Sequence, residues 1–445
     1  MTGVEAPDAS VGQQPNGAWY VVFVLFAAAI LSYLDRGIVN IVIPDLKRSL
    51  GLSEVEVSII QGFSFSLFFA GGGLIIGGLV DRFNRKLIIV LGIAGWCTMT
   101  ILCGLAQNFE QLFAARAGVG IGEACLSPAA YSIISDLFSP QRRGRPMGVM
   151  VTATSVGGAT ALLLGGAIIK GLGGSGYVDI PLIGAIEVWR FTFIILGAPG
   201  LLLVLLVLTI REPARLARPS DLVHGSSYTR FMLNHWRVFL PLNLMIGLTF
   251  GISHVVTSWA PTAFIRTFGH NPGDAGMISG LIMIPTSIGG ALFGGFLGDW
   301  IARRERPYGR LRSWFFGTSP AIVGALLAVL GPEWLYISGL LIILMTGGVF
   351  ASLSYPALYD VIPKQFRGRA IAVLLVFGNV VGLGGGVTLV AVITQHVFRD
   401  DLMARQSMAL VAALMAGITP LLALSMLRPY EALRLQNDGA SPTNR

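Results

Sequence analysis

The feature that most constrains this chain is a series of apolar stretches, each as long as a helix that crosses a membrane. Such a helix needs about 20 mostly apolar residues. Twelve stretches meet that length, and they span residues 19–44, 55–79, 87–106, 109–135, 146–170, 188–210, 238–265, 275–297, 313–331, 333–358, 370–395 and 404–427. Only 12% of the residues are charged, whereas a soluble protein carries about 25%. The pattern excludes a soluble protein and predicts an all-α membrane protein with twelve transmembrane helices.

A long connection in the middle of the chain divides these stretches into six and six. The division predicts an N-terminal tail (1–18), a six-helix half (19–210), a linker (211–237), a second six-helix half (238–427) and a C-terminal tail (428–445). The side that holds both termini carries 22 lysines and arginines, whereas the opposite side carries 7. Because short basic loops remain in the cytoplasm, we expect both termini to be cytoplasmic. In a bacterium this would be a multi-pass protein of the inner membrane, and its net charge of +8 needs no nucleic-acid partner.

The two halves share landmarks that recur about 220 residues apart, as expected for an internal repeat. These landmarks are Asp81 and Asp299, Pro44 and Pro261, Asp136 and Asp360, and the Arg-Gly-Arg sequences that begin at Arg143 and Arg367. They predict two homologous six-helix pseudo-repeats. The two prolines are expected to end the first and seventh helices.

The loop after the second stretch carries a motif that identifies a family. It has Gly77, then Asp81-Arg82, then Arg85-Lys86. Together with the six-plus-six repeat, this motif resembles the major facilitator superfamily over about residues 19–427. The resemblance implies a secondary transporter that works by alternating access. Asn84 stands where the family usually has glycine, and we expect it to tolerate a left-handed backbone there.

Charged residues at the cytoplasmic helix ends are candidates for a gate. The motif joins a carboxylate to basic residues beside a helix end, which suits a contact that forms and breaks. The predicted gate residues are Asp81, Arg82, Arg85, Asp136, Arg143, Asp299, Asp360 and Arg367.

Four charged residues fall inside the apolar stretches rather than between them. They are Asp35 and Arg36 in the first stretch, and Arg116 and Glu123 in the fourth. Each would cost ~2.5–3.5 kcal/mol at the centre of a membrane helix, so we expect them to face the interior and pair. We predict that Asp35 and Glu123 carry coupling protons. The alternative is an ion-pair network that only fixes helix packing.

The sequences around these charges sharpen the resemblance. Ser32-Tyr33-Leu34-Asp35-Arg36, with the Gly-rich run from Arg116 to Ala124, resembles the Spinster-like branch of the superfamily. That resemblance implies proton-coupled transport of lysolipids or sphingoid phosphates. A branch of organic-anion symporters shares Tyr-x-Asp-Arg and Gly-x-x-Glu in the same helices, so a small organic anion remains the alternative substrate.

The uneven distribution of charge also points to an amphiphile. The first half supplies all four buried charges, whereas the second half supplies only His254 as an ionisable group well inside a stretch. A cavity between the halves would therefore have one polar wall and one apolar wall. The predicted substrate-binding residues are Arg116, as first candidate for the anionic head, then Arg36, Tyr33 and His254. Phe250, Trp259 and Met283 are candidates to contact the chain.

Other function classes lack the residues that they need. No Gly-Lys-Ser phosphate loop supports an ATP-driven pump, and no cluster of His or Cys has the spacing of metal ligands. No nucleophile and base suggest an enzyme. We therefore expect no cofactor and no metal, and a monomer whose partners are its substrate, protons and membrane lipids.

Overall fold

In a computed structural model, the described residues are 17–139, 142–174, 176–180, 184–215, 225–304, 308–363 and 366–437. Nearly all of the predicted N-terminal tail lies outside the described residues, as do the middle of the predicted linker and the end of the C-terminal tail. The predicted gate residue Asp81 lies in a described helix, but its side chain is outside the described part.

The helices before residue 210 form a first group. Their bounds are α1 (Ala18–Leu50), α2 (Glu54–Ser58), a π-helical turn (Ile59–Phe63), α3 (Ser64–Arg82), α4 (Arg85–Leu105), α5 (Phe109–Glu123), α6 (Leu126–Leu137), α7 (Gly144–Gly171) and α8 (Val188–Thr209). A two-stranded antiparallel hairpin, β1 (Tyr177–Ile180) and β2 (Gly184–Glu187), joins α7 to α8. The hairpin is an exception to the all-α prediction.

The helices after residue 224 form a second group. Their bounds are α9 (Gly225–Asn234), α10 (Trp236–Phe268), α11 (Pro272–Ala302), a 3₁₀ turn (Gly309–Ser313), α12 (Trp314–Gly317), α13 (Ser319–Leu330), α14 (Glu333–Val361), α15 (Arg367–Phe377), a π-helical segment (Gly378–Gly386), α16 (Val387–Val392), a second π-helical segment (Ile393–Phe398), a 3₁₀ turn (Asp401–Met403), α17 (Ala404–Ser425) and α18 (Leu427–Asn437).

Ten helices of the described chain are long and apolar enough to cross a membrane, judged by length and composition. Two shorter apolar helical segments, Val156–Gly171 within α7 and Ser319–Leu330 (α13), lie in the fifth and ninth predicted stretches. The structure therefore has the helical architecture of a multi-pass membrane protein. The count of twelve spans and the side of the termini stay predictions.

Two local expectations are wrong. Pro44 and Pro261 lie inside α1 and α10 rather than at their ends. A proline removes one hydrogen bond of the helix, but neighbouring helices can satisfy the freed carbonyl and let the helix continue. Asn84 has φ −62° and ψ 116°, and its side chain accepts from the backbone N–H of Leu87. Asparagine therefore serves as the N-cap of α4, with no left-handed backbone.

The bundle has two ends, which we name by their residues. At the terminal end, Trp19 packs against Phe138, and α18 docks on α14. At the distal end, Lys47 of α1 pairs with Asp401, just before α17. The site described below lies between these ends.

The two groups contact each other through α7 with α11, α1 with α10, and α3 with the Gly378–Gly386 segment. Glycine permits the closest approaches. A Cβ on Gly62 would lie 2.6 Å from the carbonyl oxygen of Leu383, and one on Gly166 would lie 2.6 Å from that of Gly273. Because these acceptors belong to rigid backbone, a larger residue at either position would push the two groups apart.

Candidate functional site

An ion pair joins α1 to α5 inside the first group. The Nη2 atom of Arg36 lies 2.6 Å from Oε2 of Glu123, and Nε donates to the same oxygen at 2.7 Å. Ser32, one turn before Arg36, donates its hydroxyl to Oε2 at 2.6 Å. The Glu123 side chain is 0% exposed, whereas that of Arg36 is 22% exposed. The pair is thus buried on its acidic side and open on its basic side.

Aromatic rings surround the exposed guanidinium. The Cζ atom of Arg36 lies 4.5 Å from the ring centre of Phe65, 4.8 Å from that of Phe69 and 4.9 Å from that of Tyr33. Phe65 and Phe69 are one turn apart on α3 and stack on each other. Arginine stacks well on aromatic faces and holds its charge there. The structure therefore brings the predicted residues Tyr33, Arg36 and Glu123 together.

Asp35 and Arg116, two of the four charges that were expected to pair in the interior, do not form an ion pair with each other. Asp35 is 0% exposed, and its Oδ2 atom accepts from the hydroxyl of Thr100 at 3.1 Å. Its other oxygen has no hydrogen-bond partner among the described residues. Arg116 donates instead to two backbone carbonyls, those of Ile60 and Asp35, both at 3.4 Å.

The π-helical turn gives the physical reason for the position of Arg116. The Ser64 N–H bonds to the carbonyl of Ile59, whereas an α-helix would direct it to Ile60. The Ile60 carbonyl is then available to the Ser64 hydroxyl and to Arg116. Arg116 is only 1% exposed, so in this state it is enclosed within the first group.

The residues of the second group that were predicted to contact the substrate differ in their surroundings. His254 of α10 is half-buried and lies near enough to Arg36 to feel the field of its charge. Phe250 and Met283 are half-buried. Trp259, by contrast, is fully buried and donates its ring N–H to the carbonyl of Val387 at 3.1 Å. It belongs to the core of the second group and is not free to contact a ligand.

Two amides close the space on the distal side of the site, and we call this contact the amide clasp. Gln61, in the π-helical turn, donates to the side chain of Asn40 at 2.8 Å and to the carbonyl of Ser258 at 2.8 Å. Asn40 donates to the carbonyl of Thr257 at 3.4 Å. Pro261 lacks the N–H that would bond to Thr257 in a regular helix. The clasp therefore joins the first group to a carbonyl that the proline leaves free.

Nearer the distal end, four charged residues join the groups, and we call them the distal lock. Lys47 and Glu54 belong to the first group, and Arg266 and Asp401 to the second. Oε1 of Glu54 accepts from Lys47 at 2.8 Å and from Arg266 at 2.7 Å, and Lys47 also pairs with Asp401. The Glu54 side chain is 1% exposed. Such an enclosed carboxylate with two cationic partners makes strong, charge-assisted hydrogen bonds.

At the terminal end, the ion pairs between described residues lie within each group. Arg85 is 1% exposed and pairs with Asp136 at the end of α6 and with Glu212 after α8. Glu212 also accepts from the backbone N–H of Lys86 at 2.8 Å. Arg85 and Asp136 were predicted, but Glu212 was missed. It could have been found, because Glu431 follows it at the repeat offset of about 220 residues.

The second group contains a matching cluster. Arg310 pairs with Asp360 at 2.6 Å, and Glu431 of α18 accepts from the backbone N–H of Tyr308 at 2.8 Å. Tyr430 donates its hydroxyl to the carbonyl of Ala357 at 2.8 Å. Burial raises the pKa of Tyr430 well above its ordinary value, and the Asp360 carboxylate raises it further. The phenol therefore stays protonated and remains a donor.

The other predicted gate residues have separate surroundings. Arg82 and Asp299 are exposed. Arg143 donates to the carbonyl of Phe138 at 2.8 Å, and Arg367 stacks on the ring of Tyr359. Between described residues, the ion pairs that cross from one group to the other all lie at the distal end: Lys47–Asp401, Glu54–Arg266 and Lys170–Asp274.

The amino-acid sequence is similar to those of several membrane transport proteins. An MFS-type efflux pump of Mycolicibacterium smegmatis is 28% identical over 83% of this chain and 83% of its own length. Protein spinster homolog 1 of Xenopus laevis is 27% identical over 85% of this chain and 73% of its own. A probable galactarate/D-glucarate transporter of Escherichia coli is 23% identical over 86% and 88% of the two chains.

The fold has a close counterpart among solved structures. The crystal structure of a bacterial homologue of the human lysosomal transporter Spinster, inward-facing and unoccupied, superposes with a TM-score of 0.78 at 23% identity and covers 97% of this chain and 100% of that one. Together with the spinster relative, this neighbour supports the Spinster-like resemblance. The sequence profile of the Major Facilitator Superfamily matches residues 25–387. The chain is therefore a transporter of the Major Facilitator Superfamily.

Proposed function

We propose that this transporter is a secondary active carrier that works by alternating access and couples an amphiphilic anionic lipid to protons. The observation that carries the proposal is the Arg36–Glu123 pair, whose acid is enclosed while its arginine is 22% exposed. A buried ionisable pair inside a membrane protein is costly, and such pairs usually mark a substrate or proton pathway.

The proposed orientation places the terminal end in the cytoplasm. The excess of lysine and arginine at that end supports it. In that orientation the distal lock and the amide clasp close the external side, whereas the ion pairs between described residues at the cytoplasmic end each lie within one group. This asymmetry supports an inward-facing state. The opposite state would require the distal contacts to break and new contacts to form at the cytoplasmic end.

In the proposed coupling, Glu123 and the substrate compete for Arg36. While Glu123 is ionised, it accepts two bonds from the guanidinium. A proton on Glu123 removes the negative charge that holds Arg36, and the guanidinium becomes available to an anionic head. Asp35 is proposed as a second proton site, because it is enclosed and has an oxygen without a partner in the described chain. Its protonation would relieve the cost of a buried charge.

The proposed head contact is Arg36, with Tyr33 and His254 beside it. Attraction between unit charges at 4 Å is about 4 kcal/mol at an effective dielectric constant of 20, which is enough to hold an anion firmly. Arg116, the first candidate from sequence, is enclosed by carbonyls in this state, so we propose that it positions α1 through the Asp35 carbonyl. The aromatic rings around Arg36 and the apolar second group support a substrate with a hydrocarbon chain.

The alternative substrate is a small organic anion. The observation in its favour is the similarity to the galactarate/D-glucarate transporter over 86% of this chain. A sugar acid would also place a carboxylate against Arg36. A sugar acid has no hydrocarbon chain, however, so contact with the rings of Phe65 and Phe69 would add little to its binding energy.

The proposed cytoplasmic gate consists of Arg85 with Asp136 and Glu212, and of Arg310 with Asp360. We propose that these clusters hold helix ends rigid within each group, so that the groups move as bodies. The remaining predicted gate residues would make their contacts across the groups only in the outward-facing state.

Transport in proteoliposomes tests the function. The wild-type chain should accumulate a labelled lysophospholipid or sphingosine phosphate when a pH gradient is imposed, and galactarate should compete poorly. The Arg36→Gln variant should reduce uptake more than tenfold, whereas Arg142→Gln, at an exposed loop arginine, should not. Accumulation of galactarate without any lysolipid would favour the alternative substrate. Equal uptake with and without the gradient would exclude proton coupling.

A further inference from the structure

The first helix of the second group carries a surface that neither the transport site nor the gates use. Helix α9 packs one face on the bundle, where Tyr228 and Phe231 contact the ring of Phe366. On the other face, Arg230 is exposed and Leu233 is 66% exposed. Three residues apart on a helix, Arg230 and Leu233 lie on the same side. The exposed face is therefore both basic and apolar.

The surface continues into the start of α10. Trp236 is 54% exposed, and the guanidinium of Arg237 lies 5.9 Å from its ring centre. Leu240, one turn further, is 45% exposed. Among the described residues, neither Arg230 nor Arg237 forms an ion pair with an acid. An exposed indole ring therefore has one such cation beside it, Arg237, and the second, Arg230, is exposed on the preceding helix.

The position of Trp236 identifies what covers this surface. It is the first residue of a helix that is long and apolar enough to span the bilayer, which places it at the level of the lipid headgroups. Tryptophan prefers that level because its ring is apolar and its N–H needs a polar partner. An amphipathic helix next to it lies in the plane of the interface. A basic, apolar surface at this level suits a lipid, and the two arginines favour an anionic one.

We propose that α9 and the start of α10 form a binding site for the headgroup of an anionic phospholipid. The phosphate accepts from the guanidinium groups of Arg230 and Arg237, which match its oxygens in paired geometry. Leu233, Trp236 and Leu240 contact the glycerol and upper acyl region. The lipid anchors the last part of the predicted linker and the start of α10. This inference goes beyond the proposed function and does not depend on the transported substrate.

Lipid titration of the purified full chain in detergent tests the site. The probe is phosphatidylglycerol labelled on its acyl chain, and equally labelled phosphatidylcholine is the zwitterionic control. Each arginine near an anionic surface changes affinity about fivefold. The Arg230→Gln/Arg237→Gln variant should therefore bind phosphatidylglycerol about 25-fold more weakly. Its affinity for phosphatidylcholine should stay within twofold of the wild type.

A matched control removes two arginines from the first group at the same end. Arg142 and Arg145 are exposed, and the Arg142→Gln/Arg145→Gln variant should change the affinity for phosphatidylglycerol less than twofold. An equal loss in both double variants would show a general effect of charge and overturn the site. Wild-type affinity in Arg230→Gln/Arg237→Gln would also overturn it. Displacement of the lipid by millimolar glycerol phosphate would indicate a site for a soluble anion instead. The melting temperatures of both variants should match the wild type, because the substituted side chains are exposed.

Discussion

The distal lock gives a prediction whose magnitude follows from the structure. The Glu54→Gln substitution keeps the shape of the side chain and removes its charge. Of the two bonds that Oε1 accepts, only the one from Arg266 joins the two groups. The bond from Lys47 lies within the first group, and Lys47 retains its pair with Asp401. The substitution therefore weakens one contact that holds the distal side closed.

The expected loss is the part of the Glu54–Arg266 bond that depends on the carboxylate charge; because Arg266 keeps its own charge, the difference between a charged and a neutral hydrogen bond is its upper limit. A bond to a charged group contributes about 1.5–3 kcal/mol and a neutral one about 0.5–1.5 kcal/mol. Solvent screening is small here, because the side chains of Glu54 and Arg266 are 1% and 10% exposed. A loss of about 1.4 kcal/mol raises the ratio of distal-open to distal-closed molecules roughly tenfold.

Cysteine accessibility measures this ratio. Thr257 lies at the amide clasp, between the lock and the site, and a Thr257→Cys reporter should react with an impermeant maleimide from the distal side only when the lock opens. The native cysteines are fully buried and should react slowly. Glu54→Gln should increase the labelling rate about tenfold, given an opening equilibrium faster than labelling.

The control is another cross-group acid. Asp274→Asn removes the pair with Lys170, whose side chains are 34% and 56% exposed. Exposed pairs contribute little, so the labelling rate should change less than twofold. An unchanged rate in Glu54→Gln would refute the assignment of the lock, and an equal increase in Asp274→Asn would show that burial does not decide its strength.

Three further predictions follow from the site and the terminal clusters. Gln61→Leu should raise distal labelling in the same assay, because it leaves the Ser258 carbonyl and the Asn40 side chain without their donor; a rate equal to the wild type would remove the clasp from the closure. The affinity of Glu123→Gln for the lipid substrate should depend little on pH, and the variant should equilibrate the substrate across the membrane without accumulating it. Preserved gradient-driven accumulation in flux assays would exclude Glu123 as a proton site. Tyr430→Phe should lower the free energy of unfolding by about 1 kcal/mol, since it removes the donor to the Ala357 carbonyl; an unchanged denaturation midpoint would show that α18 contributes no stability through this bond.

The membrane architecture could be predicted from the pattern of apolar residues along the sequence. Repeated apolar stretches of about 20 residues are typical of helices that cross a lipid bilayer. The landmarks that recur about 220 residues apart predict that the two halves are homologous. Subtracting the loop charges also located Asp35, Arg36, Arg116 and Glu123, because charge inside a membrane helix is rare for energetic reasons. These inferences depend on hydropathy and charge, which are properties of each residue by itself and do not depend on which residues it contacts in the fold.

Which charges meet, by contrast, was decided only by the tertiary structure. Arg36 rather than Arg116 faces Glu123, because the rotation of α1 against α5 and the π-helical turn at Ile59–Phe63 set the direction of each side chain. Local rules failed for the same reason at Pro261, where a donor from another helix satisfies the carbonyl that the proline frees. The distal lock brings into contact residues that are far apart in the sequence, such as Lys47 and Asp401. A hydrogen bond forms only when donor and acceptor lie about 3 Å apart. A sequence pattern shows which face of a helix is polar, but it does not determine the distance between side chains on two different helices.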